Sequence, residues 1–179
     1  MSIEAELRAE FDRWERWENR VFQVLPYAML GVSTVITLMQ PIWGVSVNLP
    51  VVLGLTLAAT LWLAWFHTGH PQWHDNTPLM AVYYSVLLAM GLGLVAFAPW
   101  YGLFTFVGYP QAFQYLKGRW RYAGVTATAF VASMSYLGGA RQVDQEEGWL
   151  TWLGLGVLVT MLSTAFSYLA EMEIGRAHV

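Results

Sequence analysis

The chain has 179 residues, of which 56% are hydrophobic and only 12% charged, against the roughly 25% charged residues usual in soluble domains. This excludes an ordinary water-soluble globule, while the absence of cysteine excludes disulfide frameworks and thiolate metal sites. The net charge of -3 is uninformative and no nucleic-acid partner is expected, while no Asp, Glu, Lys or Arg lies between Arg20 and Asp75 or between Asp75 and Lys117, as a hydrocarbon solvent requires.

Residues 2–20 form the first predicted element. Ile3, Leu7, Phe11, Trp14, Trp17 and Val21 recur at helical spacing along one face, while Glu4 with Arg8 and Asp12 with Arg16 make i,i+4 pairs on the other. The pattern predicts an amphipathic cytoplasmic helix lying at the bilayer surface. The apolar run that follows lacks a small-residue cleavage pattern, so it is read as retained helix rather than a signal peptide.

A helix needs about 20 apolar residues to cross a hydrocarbon core of about 30 Å. Six stretches approach that length: Val21 to Met39, Leu49 to Phe66, Leu79 to Phe97, Trp100 to Leu116, Tyr122 to Gly139, and Trp149 to Ala170. The fourth is short and contains Pro110. Pro41, Pro50, Pro71, Pro78, Pro99 and Gly138-Gly139 punctuate the turns between them. Trp43, Trp62, Trp65, Trp73, Trp100, Trp120, Trp149 and Trp152 fall near proposed helix ends, where indole prefers the headgroup level. The expected fold is therefore all-α: a polytopic membrane protein with six transmembrane helices over residues 21–172, preceded by the amphipathic helix of residues 1–20.

Orientation follows from the basic residues. Arg8, Arg13, Arg16, Arg20, Lys117, Arg119 and Arg121 fall on one side and Arg141 alone on the other, which predicts a cell-membrane protein with both ends cytoplasmic. The external loop from Arg141 to Gly148 carries Asp144, Glu146 and Glu147.

His67, His70, His74 and Asp75 occur together as HTGHPQWHD in the second loop. Clustered imidazoles can bind zinc, but Pro71 prevents a regular helix from aligning all three, so the segment is read as an interfacial loop and no metal ligand is assigned. Small residues recur every fourth position at Gly124, Thr128 and Ala132 and at Gly156, Thr160 and Thr164. Such stripes let helices approach closely, and packing within the bundle is favoured over dimerisation. The six stretches hold no ionisable residue, only Gln23, Gln111, Gln114 and scattered Ser and Thr, which argues against a proton-coupled transporter. No nucleotide-binding loop, catalytic triad or paired carboxylate is present, so no catalytic or cofactor-binding residue is assigned.

PLMAVYYSVLLAM from Pro78, and APWYGLFTFVGYPQAFQYLKGRWRYAGVTATA from Ala98 with its Pro99-Trp100 turn, FVGYPQAF helix end and basic GRWR joint, resemble the membrane sensor region of actinobacterial NarL-type sensor histidine kinases, the group of DesK-like and MacS-like proteins. The likeness covers about half the chain. The first two helices match in number only, and RWERWENR in style. The resemblance implies a homodimer whose missing kinase domain would use ATP and Mg, autophosphorylate a histidine and pass the phosphoryl group to a response regulator; no family catalytic residue carries over. Glu173 to Val179, EIGRAHV, reverse-translates into the start of a common short-read sequencing adapter, with a stop as the next codon. We therefore expect residues 173–179 to be an artefact and the native sequence to depart after about Met172. The expected function is a truncated signal-input module, the alternative a small stand-alone membrane protein such as a transporter or channel half or a structural subunit.

Overall fold

The computed structural model describes the backbone of residues 3–145 and 147–176 and the side chains of 13, 17, 20–145, 147–165 and 168. All regular structure among them is helical. The first helix, α1 (Ile3–Met39), is a single continuous element, so the expected boundary near residue 20 is not a break: no glycine or proline interrupts the sequence from Ile3 to Leu25. The side chains that define the proposed amphipathic face, Trp17 and Val21 apart, lie outside the described residues, as does the acidic Glu146 of the last loop.

The chain then turns through Pro41 and enters α2 (Leu49–Leu63). Its last turn widens over Ala64–Thr68, where the Gly69 amide donates to the Ala64 carbonyl at 2.8 Å. A Cβ on Gly69 would sit 3.0 Å from that oxygen, which explains a glycine there. His70, which precedes Pro71, leaves the helical region with φ -132° and ψ 63°. Asn76 caps α3 (Thr77–Phe97) by accepting from the Leu79 amide.

At the centre of the bundle, α3 buries Met80, Tyr83, Tyr84, Leu87, Leu94 and Val95. Ala98 is extended before Pro99, and the chain returns through a broken segment: a short turn at Pro99–Tyr101, α4 (Gly102–Thr105) and α5 (Gly108–Tyr115). Pro110 causes the break, since it cannot donate to Phe106, whose carbonyl accepts from Tyr109 at 3.2 Å instead. After the basic joint, α6 (Arg119–Leu137) runs back and ends at Gly138, whose φ of +94° makes a left-handed cap. The short α7 (Ala140–Val143) leads into α8 (Gly148–Arg176), which packs mainly on α6.

Four helical stretches are long and apolar enough to cross a membrane: Arg20–Trp43, Leu49–Thr68, Thr77–Phe97 and Gly148–Ala165. These correspond to four of the six expected spans. The other two, Trp100 to Leu116 and Tyr122 to Gly139, are helical but fall outside that set: proline divides the first, and Arg119, Arg121 and several Ser and Thr dilute the second helix. Only 6% of Gly148–Ala165 is buried, and Leu57, Leu61, Val82, Met161 and Leu162 are exposed. Such extensive unburied apolar surface is what a lipid environment accommodates.

The small-residue stripes pack within the chain. Gly124 sits against Leu116, Ala112 and Tyr84, and Gly156 against the Phe130 ring. Trp62 and Trp152 each donate the indole N–H to a neighbouring helix, at the Tyr83 (3.1 Å) and Phe130 (2.9 Å) carbonyls respectively. Trp43, Trp65, Trp100, Trp120 and Trp149 are exposed.

Candidate functional site

The bundle interior is held by hydroxyl and imidazole bonds between helices. Near the Gly138 end of the bundle, the Tyr101 hydroxyl bridges Thr34 on α1 (3.0 Å) and Thr56 on α2 (2.7 Å). In the middle, Tyr84 on α3 donates to the Gly124 carbonyl (2.8 Å) and contacts the Thr128 hydroxyl (2.6 Å) on α6.

Toward the Arg119 end lies the most polar cluster. His67, in the widened turn of α2, is 3% exposed, and its Nδ1 meets the Tyr115 hydroxyl of α5 at 2.7 Å. The sequence predicts this histidine in an interfacial loop; instead the helix continues past Phe66 and carries the imidazole into the bundle. The widened turn alters the angular register of the last residues of α2, which is how a residue at the end of the apolar run faces the interior. The Phe22 and Gln23 carbonyls of α1 lie against the ring. Phe22 is four residues before Pro26, so its carbonyl lacks the helical donor that Pro26 cannot supply. Either the Nδ1–H or the Tyr115 O–H donates in this bond, according to the tautomer of the ring.

His74 joins this cluster and His70 does not. The His74 ring lies 5.3 Å from Tyr115 and 6.1 Å from His67. His70 turns away, stacking on Trp73 at 3.9 Å and bonding the Trp65 carbonyl at 2.8 Å. Pro71 thus separates the three imidazoles into two directions, and among the described residues no group of three or more His, Asp or Glu side chains is placed to hold a metal ion. Tyr83 packs edge-on to Tyr115 at 5.5 Å and donates to Gln111 at 3.4 Å. Tyr27 and Thr68 close the outer edge with a 2.6 Å bond.

No protein-family model, curated protein or solved structure matches the chain.

Function must therefore be argued from the cluster itself. His67 Nε2, His74 Nε2 and Gln111 Nε2 are buried without a hydrogen-bond partner, an arrangement that costs free energy in a dry interior. An imidazole and a phenol in contact can exchange a proton or change partners. Because α1, α2, α3 and α5 each supply a member, such a change would alter how these helices pack. Of these members the sequence singled out the histidines and Gln111. It missed Tyr115 and Tyr83, although a tyrosine inside an apolar stretch carries a hydroxyl that must find a partner.

Proposed function

We propose that the chain is the membrane-embedded signal-input module of a two-component sensor histidine kinase, crossing the plasma membrane six times with both ends cytoplasmic. The observation that supports this reading is the continuity of α1 beyond its apolar part and of α8 along the whole of its own. α1 extends from Ile3 to Arg20 before its apolar segment, and α8 runs unbroken from Gly148 to Met172, where the expected native sequence in this chain stops. The α1 extension leaves the bundle beside the His67 cluster, against which the Phe22 backbone lies, and α8 packs on α6 and brings Ser163 beside Tyr109. Helices that pass unbroken out of a bundle transmit a rotation or shift of its packing, and α8 is the least buried of the four apolar helices, so it moves at least cost.

Six passes follow if the α4–α5 segment and α6 also cross: Tyr101 contacts Thr34 and Thr56, Tyr115 contacts His67, and α6 returns along the same distance. Homodimerisation and transfer to a response regulator would belong to the intact protein. ATP and Mg would be bound by its kinase domain, since phosphoryl transfer needs an aqueous site.

Two measurements test this. Reporter fusions after Arg121 are expected to be cytoplasmic and those after Asp144 external; reversal at either point rejects the six-pass arrangement. Native DNA beyond codon 172 is expected to continue in frame into a helical linker and kinase, and a prompt stop rejects the input-module reading. A stand-alone transport or channel component is the second reading. The buried His67 favours it, since an ionisable group inside a membrane bundle commonly marks a proton or substrate path.

A further inference from the structure

Between α3 and α6 runs an open groove of about 530 Å³. Its walls are mainly apolar, with Leu88 on α3, and its floor is lowered by small residues, Ala81 on α3 and Ala123, Gly124 and Ala127 on α6, with Lys117 and Trp120 at one end. The α3 wall extends from Thr77 to Leu88, which at 1.5 Å per residue is about 16 Å, close to half of a roughly 30 Å hydrocarbon core. The groove is therefore about as long as one leaflet is deep, with Trp120 and Lys117 at one end.

That end is basic. Lys117 lines it, and the Arg119 guanidinium lies 5.8 Å from the Trp120 ring centre. Arg121 donates its Nε–H to the Leu116 carbonyl at 3.0 Å, pinning the extended Leu116–Gly118 joint that presents these cations. Asp75, two residues before the Thr77 wall, opposes three positive charges with one negative. We propose that this groove holds one acyl chain of an anionic phospholipid, with its phosphate at Lys117 and Arg119. In a bilayer an apolar lateral groove is filled by lipid chains whatever their headgroup, so the charge at its mouth decides which lipid resides there. The proposal rests on the bilayer reading of the four apolar helices and is independent of any kinase.

The test uses the full chain, first shown to resist alkaline extraction from membranes so that failure of the bilayer reading is seen separately. Native mass spectrometry in mild detergent then compares added phosphatidylglycerol with phosphatidylcholine of identical chains. The wild type should retain one phosphatidylglycerol with at least roughly tenfold preference, the scale expected of two membrane-proximal cations. Lys117→Gln with Arg119→Gln, both exposed positions, should reduce that preference to within about twofold. Ala127→Phe should lower retention of both lipids by filling the groove, whereas Val82→Phe, at an exposed position of α3 outside it, should change neither. Free inorganic phosphate should not displace the lipid. Equal retention of the two lipids by the wild type overturns the proposal. So does an Ala127→Phe variant indistinguishable from Val82→Phe, or one whose change is in oligomeric mass rather than lipid, which would mean that a second copy covers the groove.

Discussion

Removing the Tyr115 hydroxyl should destabilise the bundle more than removing the Tyr101 hydroxyl, although Tyr101 makes two interhelical contacts and Tyr115 one. In Tyr101→Phe, Thr34 and Thr56 lose their shared partner but keep bonds to the Leu30 (2.7 Å) and Val52 (2.8 Å) carbonyls of their own helices. Only the bridging bonds are lost, and interhelical side-chain bonds in membranes average about 0.6 kcal/mol each, so the cost should be about 1 kcal/mol. In Tyr115→Phe, His67 Nδ1 loses its partner in a site where Nε2 already lacks one. An imidazole buried without bonds adds a desolvation penalty of about 1–3 kcal/mol, giving an expected loss of about 2–3 kcal/mol. The assay is reversible unfolding in mixed micelles at increasing dodecyl sulfate, followed by helical circular dichroism. A cycle with His67→Phe sharpens it: the double variant removes both polar partners and should lose less than the sum of the single losses. Equal or smaller destabilisation by Tyr115→Phe, or strict additivity in the cycle, would refute the account of a buried, mutually dependent pair.

Other perturbations bear on neighbouring features. Pro26→Ala should return a helical donor to the Phe22 carbonyl, which lies against the His67 ring, so 15N spectra of labelled histidine should shift; unchanged spectra would detach Pro26 from the cluster. Gly156→Leu should displace α8, because even a Cβ there would lie 2.5 Å from the Phe130 ring; the expected cost is about 1–3 kcal/mol, with cross-linking between positions 130 and 152 reduced, and undiminished cross-linking would contradict the packing. Replacing His67, His70 and His74 together with Gln should leave the metal content of the purified protein unchanged, since His70 is directed away from the other two; stoichiometric zinc lost in the triple variant would show that the loop rearranges around a metal.

How far the sequence discloses this architecture depends on the scale of each signal. The apolar segments of α1, α2, α3 and α8 were legible because a run of about 20 apolar residues is a property of composition, insensitive to detail. Continuity of α1 was less so: the expected boundary followed the change in polarity at residue 20, whereas a helix ends where a breaker or cap ends it, and none stands between Ile3 and Leu25. The α4–α5 segment read as one short span. Its division follows from a single missing amide at Pro110, and where the freed Phe106 carbonyl turns is settled by local geometry that periodicity does not encode.

The candidate site was legible in its histidines and obscure in its arrangement. HTGHPQWHD announces an imidazole cluster, and Pro71 correctly argues that the three rings diverge. The inward direction of His67 depends on the widened turn over Ala64–Thr68, one extra residue in a helical ring that no hydropathy pattern reveals. The partners come from distant segments, Tyr115 48 residues away in sequence and Phe22 on another helix, joined only once the bundle forms. One link was readable in retrospect. A proline inside a membrane helix leaves the carbonyl four residues earlier without its donor, and in a bilayer that carbonyl must find another. Pro26 therefore marks Phe22 as an acceptor in search of a donor, and the inward-turned imidazole of the second helix lies beside it. Two backbone irregularities on adjacent helices, a removed donor on α1 and an added residue on α2, thus meet at this cluster.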